Sequence, residues 1–308
     1  MAEVAEASST KRRALVLGGG GPVGVGWEAG LGAGIAEAGV NLAEADCVIG
    51  TSAGSITGAY LCKGDDPVEL ASKVGEMFRS NVDGTGVDRI PETAIMTLMQ
   101  TMMELASRVG EGGAEEVFRE LGRSALEAET IPEEAYVTAL ERAFGGWEWP
   151  AAFRCTAVNA ETGEFRVWDQ SSGVPVSLAV ASSCAVPMIY PPVTIDGGRW
   201  MDGGVRSPLN ADLAAGYDVV VVVSVMPLQL PPGLGDERLI RFFDMQREQV
   251  DGLRAEGAAV EVIVPDMDFL SLSGLGMRLM DFGLVEQAAE LGRRLGREVA
   301  DRIGAVWG

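Results

Sequence analysis

Histidine is absent from all 308 residues. A Ser-His-Asp triad, a Cys-His dyad, a histidine-ligated zinc and a phosphohistidine are therefore excluded. Proton transfer falls to carboxylates, lysine, tyrosine, cysteine, backbone groups or water. Positive charge is scarce as well. There are 24 Lys and Arg against 45 Asp and Glu, a formal net charge of −21, and the only lysines are Lys11, Lys63 and Lys73. That balance argues against a nucleic-acid partner, because nothing offsets phosphate repulsion. It also disfavours adsorption to anionic lipid by bulk electrostatics. Long apolar runs are missing: the longest strongly apolar stretch, residues 219–225, falls far short of the roughly 20 residues a spanning helix needs. No apolar segment precedes Ala14, so no secretory signal is read, and a cytoplasmic location is expected. The four cysteines, 47, 62, 155 and 184, form no C-x-x-C pair and sit among apolar or small neighbours. Buried reduced thiols are expected rather than disulfides or a metal site.

A hydrophobic fraction of 47% suffices for a sizeable core. Residues 1–11 read as a disordered leader and 12–308 as a single domain. Residues 14–17 form a short buried strand that enters the glycine-rich stretch 18–24. A helix is expected over 27–38, a second strand over 46–50, and a further helix through about Cys62. The alternation predicts an α/β fold with a parallel sheet and helical crossovers. Strand signals vanish between about 65 and 150, which reads as a helical insertion with helices at 92–109 and 133–144. Strands return at 154–158 and 164–168, and a helix follows near 176–182. A hairpin turns at Asp196-Gly197-Gly198. The central strand is 219–225, β-branched on both faces and so buried on both. A last strand (260–264) and a last helix (284–303) complete the chain.

Three motifs carry chemistry. Gly18 to Gly24 lies between a strand and a helix, where backbone amides converge and missing side chains permit close approach. Gly19-x-Gly21-x-x-Gly24 matches the dinucleotide fingerprint, but the acid expected at the end of the next strand is missing; Asp46 stands at that strand's beginning instead. An oxyanion hole and a mere packing turn are the other readings. Gly50-Thr51-Ser52-Ala53-Gly54 is G-x-S-x-G between strand and helix, the setting that exposes a serine hydroxyl on a sharp turn. A plain strand-to-helix turn is its bland alternative. Serine needs a base, and without histidine a carboxylate is the best candidate. Asp202, followed by two glycines, is preferred over Asp196, which reads as the hairpin's turn residue. The methionines at 96, 99, 102 and 103, and the apolar segment 269–282, fit either core packing or an acyl channel and entrance rim.

Together these motifs resemble the patatin-like phospholipases, most of all their bacterial members. The resemblance also takes in residues 181–187, Pro191-Pro192-Val193 and residues 205–214, and covers roughly 13–62 and 154–226 well. It implies a three-layer α/β/α fold with a mainly parallel sheet. It implies a serine acyl hydrolase of the lipase or phospholipase type, with Ser52 as nucleophile and Asp202 as base in a histidine-free dyad. The elbow glycines would be Gly50 and Gly54, and the oxyanion donors Gly19, Gly20 and Gly21. Neither cofactor nor metal is implied. The expected partner is a lipid or ester substrate, with room for transient membrane or micelle contact and no nucleic acid. Where the family often carries Arg or Lys before the last glycine of the loop, this chain has Val23, which removes an anchor for a phosphate headgroup. Two readings of other classes stand beside this one. They are a catalytically silent lipid-binding module of the same fold, and a dinucleotide-binding oxidoreductase.

Overall fold

The computed structural model describes residues 11–64, 96, 98, 100, 101, 114–229, 235 and 237–308. The expected leader, apart from Lys11, and most of the helix expected over 92–109 lie outside the described residues. The first unit is β1 (Arg13–Leu17), α1 (Gly21–Glu37), β2 (Cys47–Gly50) and α2 (Ala53–Lys63). Then come α3 (Ala114–Glu127) and α4 (Glu133–Phe144), with no strand among the described residues from 96 to 149. Next follow β3 (Phe153–Asn159), β4 (Phe165–Trp168), α5 (Val176–Ser183), β5 (Val193–Ile195), β6 (Gly198–Asp202) and β7 (Val219–Val223). The chain ends with α6 (Glu237–Ala255), β8 (Ala259–Ile263), α7 (Met267–Leu272) and α8 (Val285–Trp307). No helix among the described residues is long and apolar enough to cross a membrane.

The strands form one sheet in the order β5-β6-β3-β2-β1-β7-β8, with β4 also paired to β3. β3, β2, β1, β7 and β8 run parallel, while β4 and β6 lie antiparallel to β3, and β5 to β6. Side chains alternate across a strand, and the core divides accordingly. Leu15, Leu17, Val221 and Val223 pack with Trp27, Leu31 and Ile35 of α1 and with Leu295 and Ile303 of α8. Ala14, Val16, Val220 and Val222 face the other way, onto Leu209 and onto Val250 and Leu253 of α6. The result is a three-layer α/β/α arrangement around a mainly parallel sheet.

One local difference and one agreement with expectation have physical reasons. α1 begins at Gly21, not at residue 27, so half of the glycine stretch is helix. Pro22 sits in its first turn, where the missing N–H costs nothing and φ is already helical. The hairpin between β5 and β6 turns at Asp196 (φ 50°) and Gly197 (φ 80°), as the Asp-Gly pair predicts.

α1 is seated by contact with α8 that glycine alone permits. A Cβ at Gly30 would overlap the backbone of Ala289, and one at Gly292 the backbone of Trp27. The Gly30→Ala variant should therefore lose about 2 kcal/mol of stability through forced separation of α1 and α8. Urea unfolding is the check, and an unchanged midpoint would show that this contact is slack.

Candidate active site

The sheet register places the site. Cys155 of β3 pairs with both Gly50 of β2 and Trp168 of β4, and Ala157 pairs with both Asp202 of β6 and Arg166 of β4. A strand has two edges, so β2 and β6 share the edge opposite β4 and approach each other end to end. β2 ends at Gly50 opposite Cys155, and β6 ends at Asp202 opposite Ala157. Ser52, two residues beyond Gly50, thus meets Asp202 across a gap of two pairing positions.

The turn after β2 is sharp. Ser52 has φ 53° and ψ −117°, a conformation that costs a non-glycine residue about 1–3 kcal/mol. Both elbow glycines are sterically required: a Cβ on Gly50 would overlap Gly54, and one on Gly54 would overlap Leu17. Hydrogen bonds fasten the strained residue. Its N–H donates to Ser183 Oγ (3.1 Å), and its carbonyl accepts from Ser55 Oγ (2.7 Å) and Cys184 Sγ (3.2 Å). One residue further on, the Ala185 carbonyl accepts the Asp202 N–H at 3.0 Å. Three consecutive residues at the end of α5, Ser183-Cys184-Ala185, therefore hold both Ser52 and Asp202.

The two side chains are buried, 7% and 5% exposed, and lie side by side at one cavity. Burial pushes the Asp202 carboxyl up to about 7. The Ser52 hydroxyl and the Gly204 N–H, which donates to Oδ1 at 2.7 Å, pull it back down. Desolvation dominates because no cation offsets it.

The glycine stretch lies beside the pair. Gly19, Gly20 and Gly21 all border one cavity with Ser52 and Asp202. Their amides are not equivalent. The Gly19 N–H donates to the Pro208 carbonyl at 2.8 Å and is engaged. The amides of Gly20 and Gly21 have no acceptor among the described residues. Gly21 (φ 57°) heads α1, so its amide also lies at the positive end of a 17-residue helix.

The cavity measures about 200 Å³, and its remaining wall is apolar, with Leu98, Val186, Ile189, Val205, Met226 and Leu279 among its residues. Leu98 comes from the expected insertion. Of the methionine stripe, Met96 is exposed at 49%, and Met99, Met102 and Met103 lie outside the described residues. The segment 269–282 divides: Phe269 packs on Trp27 in the core, whereas Leu279 and Met280 border the cavity. Val23 is fully buried in the core and is not among the residues that border the cavity. Asp46 accepts the Arg13 N–H at 2.7 Å at the start of β1, the opposite end of the strand from the glycine stretch, and supplies no ribose acceptor there.

A buried polar knot, invisible as a motif, underlies the two turns. Asn210 (φ 51°) donates through Nδ2 to Thr51 Oγ1 (3.0 Å), the Gly203 carbonyl (3.2 Å) and the Ser207 carbonyl (2.8 Å). Thr51 Oγ1 also meets Thr156 Oγ1 at 3.0 Å. Arg206 occupies the Asn210 carbonyl (2.8 Å) and pairs with Asp212 (2.6 Å), which fixes the amide's direction. The residues next to Ser52 and Asp202 are thereby tied to one side chain. Asn210→Ala should cost about 2 kcal/mol or more, by leaving these acceptors unpaired and straining a left-handed alanine. Chemical unfolding measures this, and a loss below half that figure would mean the knot is redundant.

With the geometry established, comparison with known proteins is informative. A search of curated proteins found no match. Among solved structures, the chain is similar to VipD from Legionella pneumophila (13% identity, TM-score 0.41, 91% of this chain and 68% of that one). It is also similar to the type III effector ExoU (17% identity, TM-score 0.38, 94% of this chain and 54% of that one). ExoU from Pseudomonas aeruginosa in complex with SpcU gives 16% identity and a TM-score of 0.37, again over 94% of this chain and 54% of the other. The chain thus spans about half the length of ExoU. The sequence profile described as patatin-like phospholipase matches residues 15–215, and the chain belongs to that family.

Proposed function

We propose that the protein is a carboxylic ester hydrolase acting on lipid esters, with Ser52 as nucleophile and Asp202 as general base. The observation that carries this reading is the buried Ser52–Asp202 pair at the edge of an apolar cavity with two unengaged amides. A base poised near 7 is matched to neutral conditions, where it can take the serine proton without an intervening imidazole. Ser52 Oγ attacks the ester carbonyl as its proton passes to Asp202. The carbonyl oxygen, now negative, is received by the amides of Gly20 and Gly21, and one such donor is worth about 3 kcal/mol. The tetrahedral intermediate collapses, the alcohol leaves with the proton from Asp202, and an acyl-serine remains. Water then attacks, losing its proton to Asp202, and as the acyl–Oγ bond breaks Asp202 returns that proton to Ser52 Oγ and the carboxylic acid departs. The acyl chain lies along the apolar wall. Residues 12–308 serve as one unit, in which the segment about 65–150, inserted between α2 and β3, contributes to that wall through Leu98. The buried Val23 leaves a phosphate headgroup without a cation there, so the acyl ester rather than the headgroup is what the site selects.

Ser52→Ala and Asp202→Asn should each reduce kcat for an aryl ester by about a thousandfold or more. The Ser52 variant should also lose labelling by a fluorophosphonate. Absence of labelling in the wild type would favour a silent lipid-binding module instead.

The pH dependence has a definite sign. Activity needs the Asp202 anion, so kcat/KM should rise through an apparent pKa of about 7 and be lost as pH falls below it. Stability runs the other way: the raised carboxyl favours the folded state below the unfolded value, and that contribution is lost as pH rises through about 7. Asp202→Asn should remove this decline in unfolding experiments. A profile flat from pH 5 to 9 would exclude Asp202 as the base.

A further inference from the structure

α1 carries a second buried acid that the proposed reaction does not use. Glu28 is 2% exposed, and neither carboxyl oxygen has a hydrogen-bond partner of normal geometry among the described residues. A small cavity of about 20 Å³, room for one water, adjoins it. The cavity's other walls include Leu15, Leu17, Leu31, Leu61 and Val223. Thr57 lines the same small cavity as the carboxyl, and the Gly18 backbone is the other polar group beside it.

Both lead into the candidate site. Gly18 opens the glycine stretch, and its carbonyl accepts the Gly54 N–H of the elbow helix at 3.0 Å. Thr57 lies on that same helix, one turn after Ser52, and its hydroxyl donates to the Ala53 carbonyl at 3.4 Å. The Thr57 oxygen keeps lone pairs that a protonated carboxyl can use. The route runs from the acid to Thr57 to Ala53, the residue after Ser52, and from the acid to Gly18, two residues before Gly20.

We propose that Glu28 is a positioning residue whose carboxyl, lodged between Gly18 and Thr57, fixes the spacing of the glycine turn and the serine elbow. The inference rests on the reading of Ser52 and Gly20-Gly21 as reacting groups. Glu28 acts as a neutral acid. Burial holds its carboxyl well above the usual range, and an isolated anion in this apolar wall would be costly. No charge on the surrounding elements compensates it. On α8, Arg293 and Arg297 pair with Glu37 near the far end of α1, while Glu286 and Glu290 are exposed. At the start of β1, Arg13 pairs with Glu44 of the short turn Leu42–Glu44. On α2, the titratable residues Tyr60, Cys62 and Lys63 lie beyond Thr57. β7 has none.

The test compares the full-length wild type with Glu28→Gln and Glu28→Leu. The rate of fluorophosphonate labelling at Ser52 is read at pH 8, and urea unfolding from pH 5 to 9. Glutamine retains a donor and an acceptor in the same shape, so labelling should stay within about threefold of wild type. Leucine fills the space without the link, so labelling should fall about tenfold or more while the unfolding midpoint is kept. The wild type should lose stability relative to Glu28→Gln as pH rises, since the raised group contributes most below its unfolded value. Leucine labelling at the wild-type rate would overturn the positioning role. Equal losses in both variants would overturn the neutral-acid link, as would parallel stability profiles of wild type and glutamine. A wild type that never labels would fell the Ser52 reading itself, and this inference with it. Should Glu28→Leu not fold, the glutamine comparison across pH still decides the protonation state on which the link depends.

Discussion

Everything at the candidate site depends on two strands ending against each other on one edge of β3. β2 arrives parallel and β6 antiparallel, and their last residues, Gly50 and Asp202, face β3 positions only two apart. A shift of one residue in the β6 register would turn Asp202 to the other face of the sheet, and one in the β2 register would displace Ser52. The hydroxyl and the carboxyl, 150 positions apart in the chain, are brought together by backbone pairing before any side-chain attraction acts. The pair meets in a place already emptied of water, and that desolvation is what raises the Asp202 carboxyl to about 7, above the range of an exposed aspartate.

The arrangement is held against its own local preferences. Ser52 sits in a left-handed conformation, Asn210 in another, and a carboxyl is desolvated between them. Each is unfavourable alone. The surroundings over-determine them with short, specific bonds: Ser183 and Cys184 on either side of the Ser52 peptide, Ala185 on the Asp202 amide, and Asn210 beneath both turns. The apolar core supplies the remainder. Side chains from β1 and β7 alternate between helical layers, so both faces of the central strands are dry.

What was legible in the sequence follows the range of the interactions. The G-x-S-x-G elbow, the Asp-Gly hairpin and the strand at 219–223 are set by neighbours within a few residues, and their pattern is visible without a fold. The preference for Asp202 over Asp196 came from the same local logic, since a turn needs Asp-Gly where φ is positive. Three things were not visible. α1 starts six residues early because Pro22 and the tight packing on α8 outweigh poor glycine propensity. α3 was not separately resolved within the expected insertion, and α6 was not anticipated. In α3, Val117, Phe118, Leu121 and Ala125 do recur at helical spacing on one buried face, whereas α6 carries its apolar residues among many charges, where tertiary packing rather than periodicity reveals it. The unequal standing of the glycine amides depends on Pro208, nearly 190 residues away, which alone removes Gly19 from the available donors. The partners Asn210, Ser183 and Cys184 carried no chemical signature of their own, because their work lies in what they touch.

The two buried carboxyls show how one physical effect yields two roles. Asp202 and Glu28 are both stripped of water, and burial raises both. Asp202 accepts the Gly204 amide at 2.7 Å and lies against the Ser52 hydroxyl, and these offset burial so that its carboxyl sits at about 7. Glu28 meets a hydroxyl and an amide already committed elsewhere, to Ala53 and to Val223, so its anion gains little and the proton stays. An acid that can release its proton near neutrality suits catalysis, and one that cannot suits architecture. In a chain without histidine, the number of uncommitted donors around each carboxyl is what separates the two.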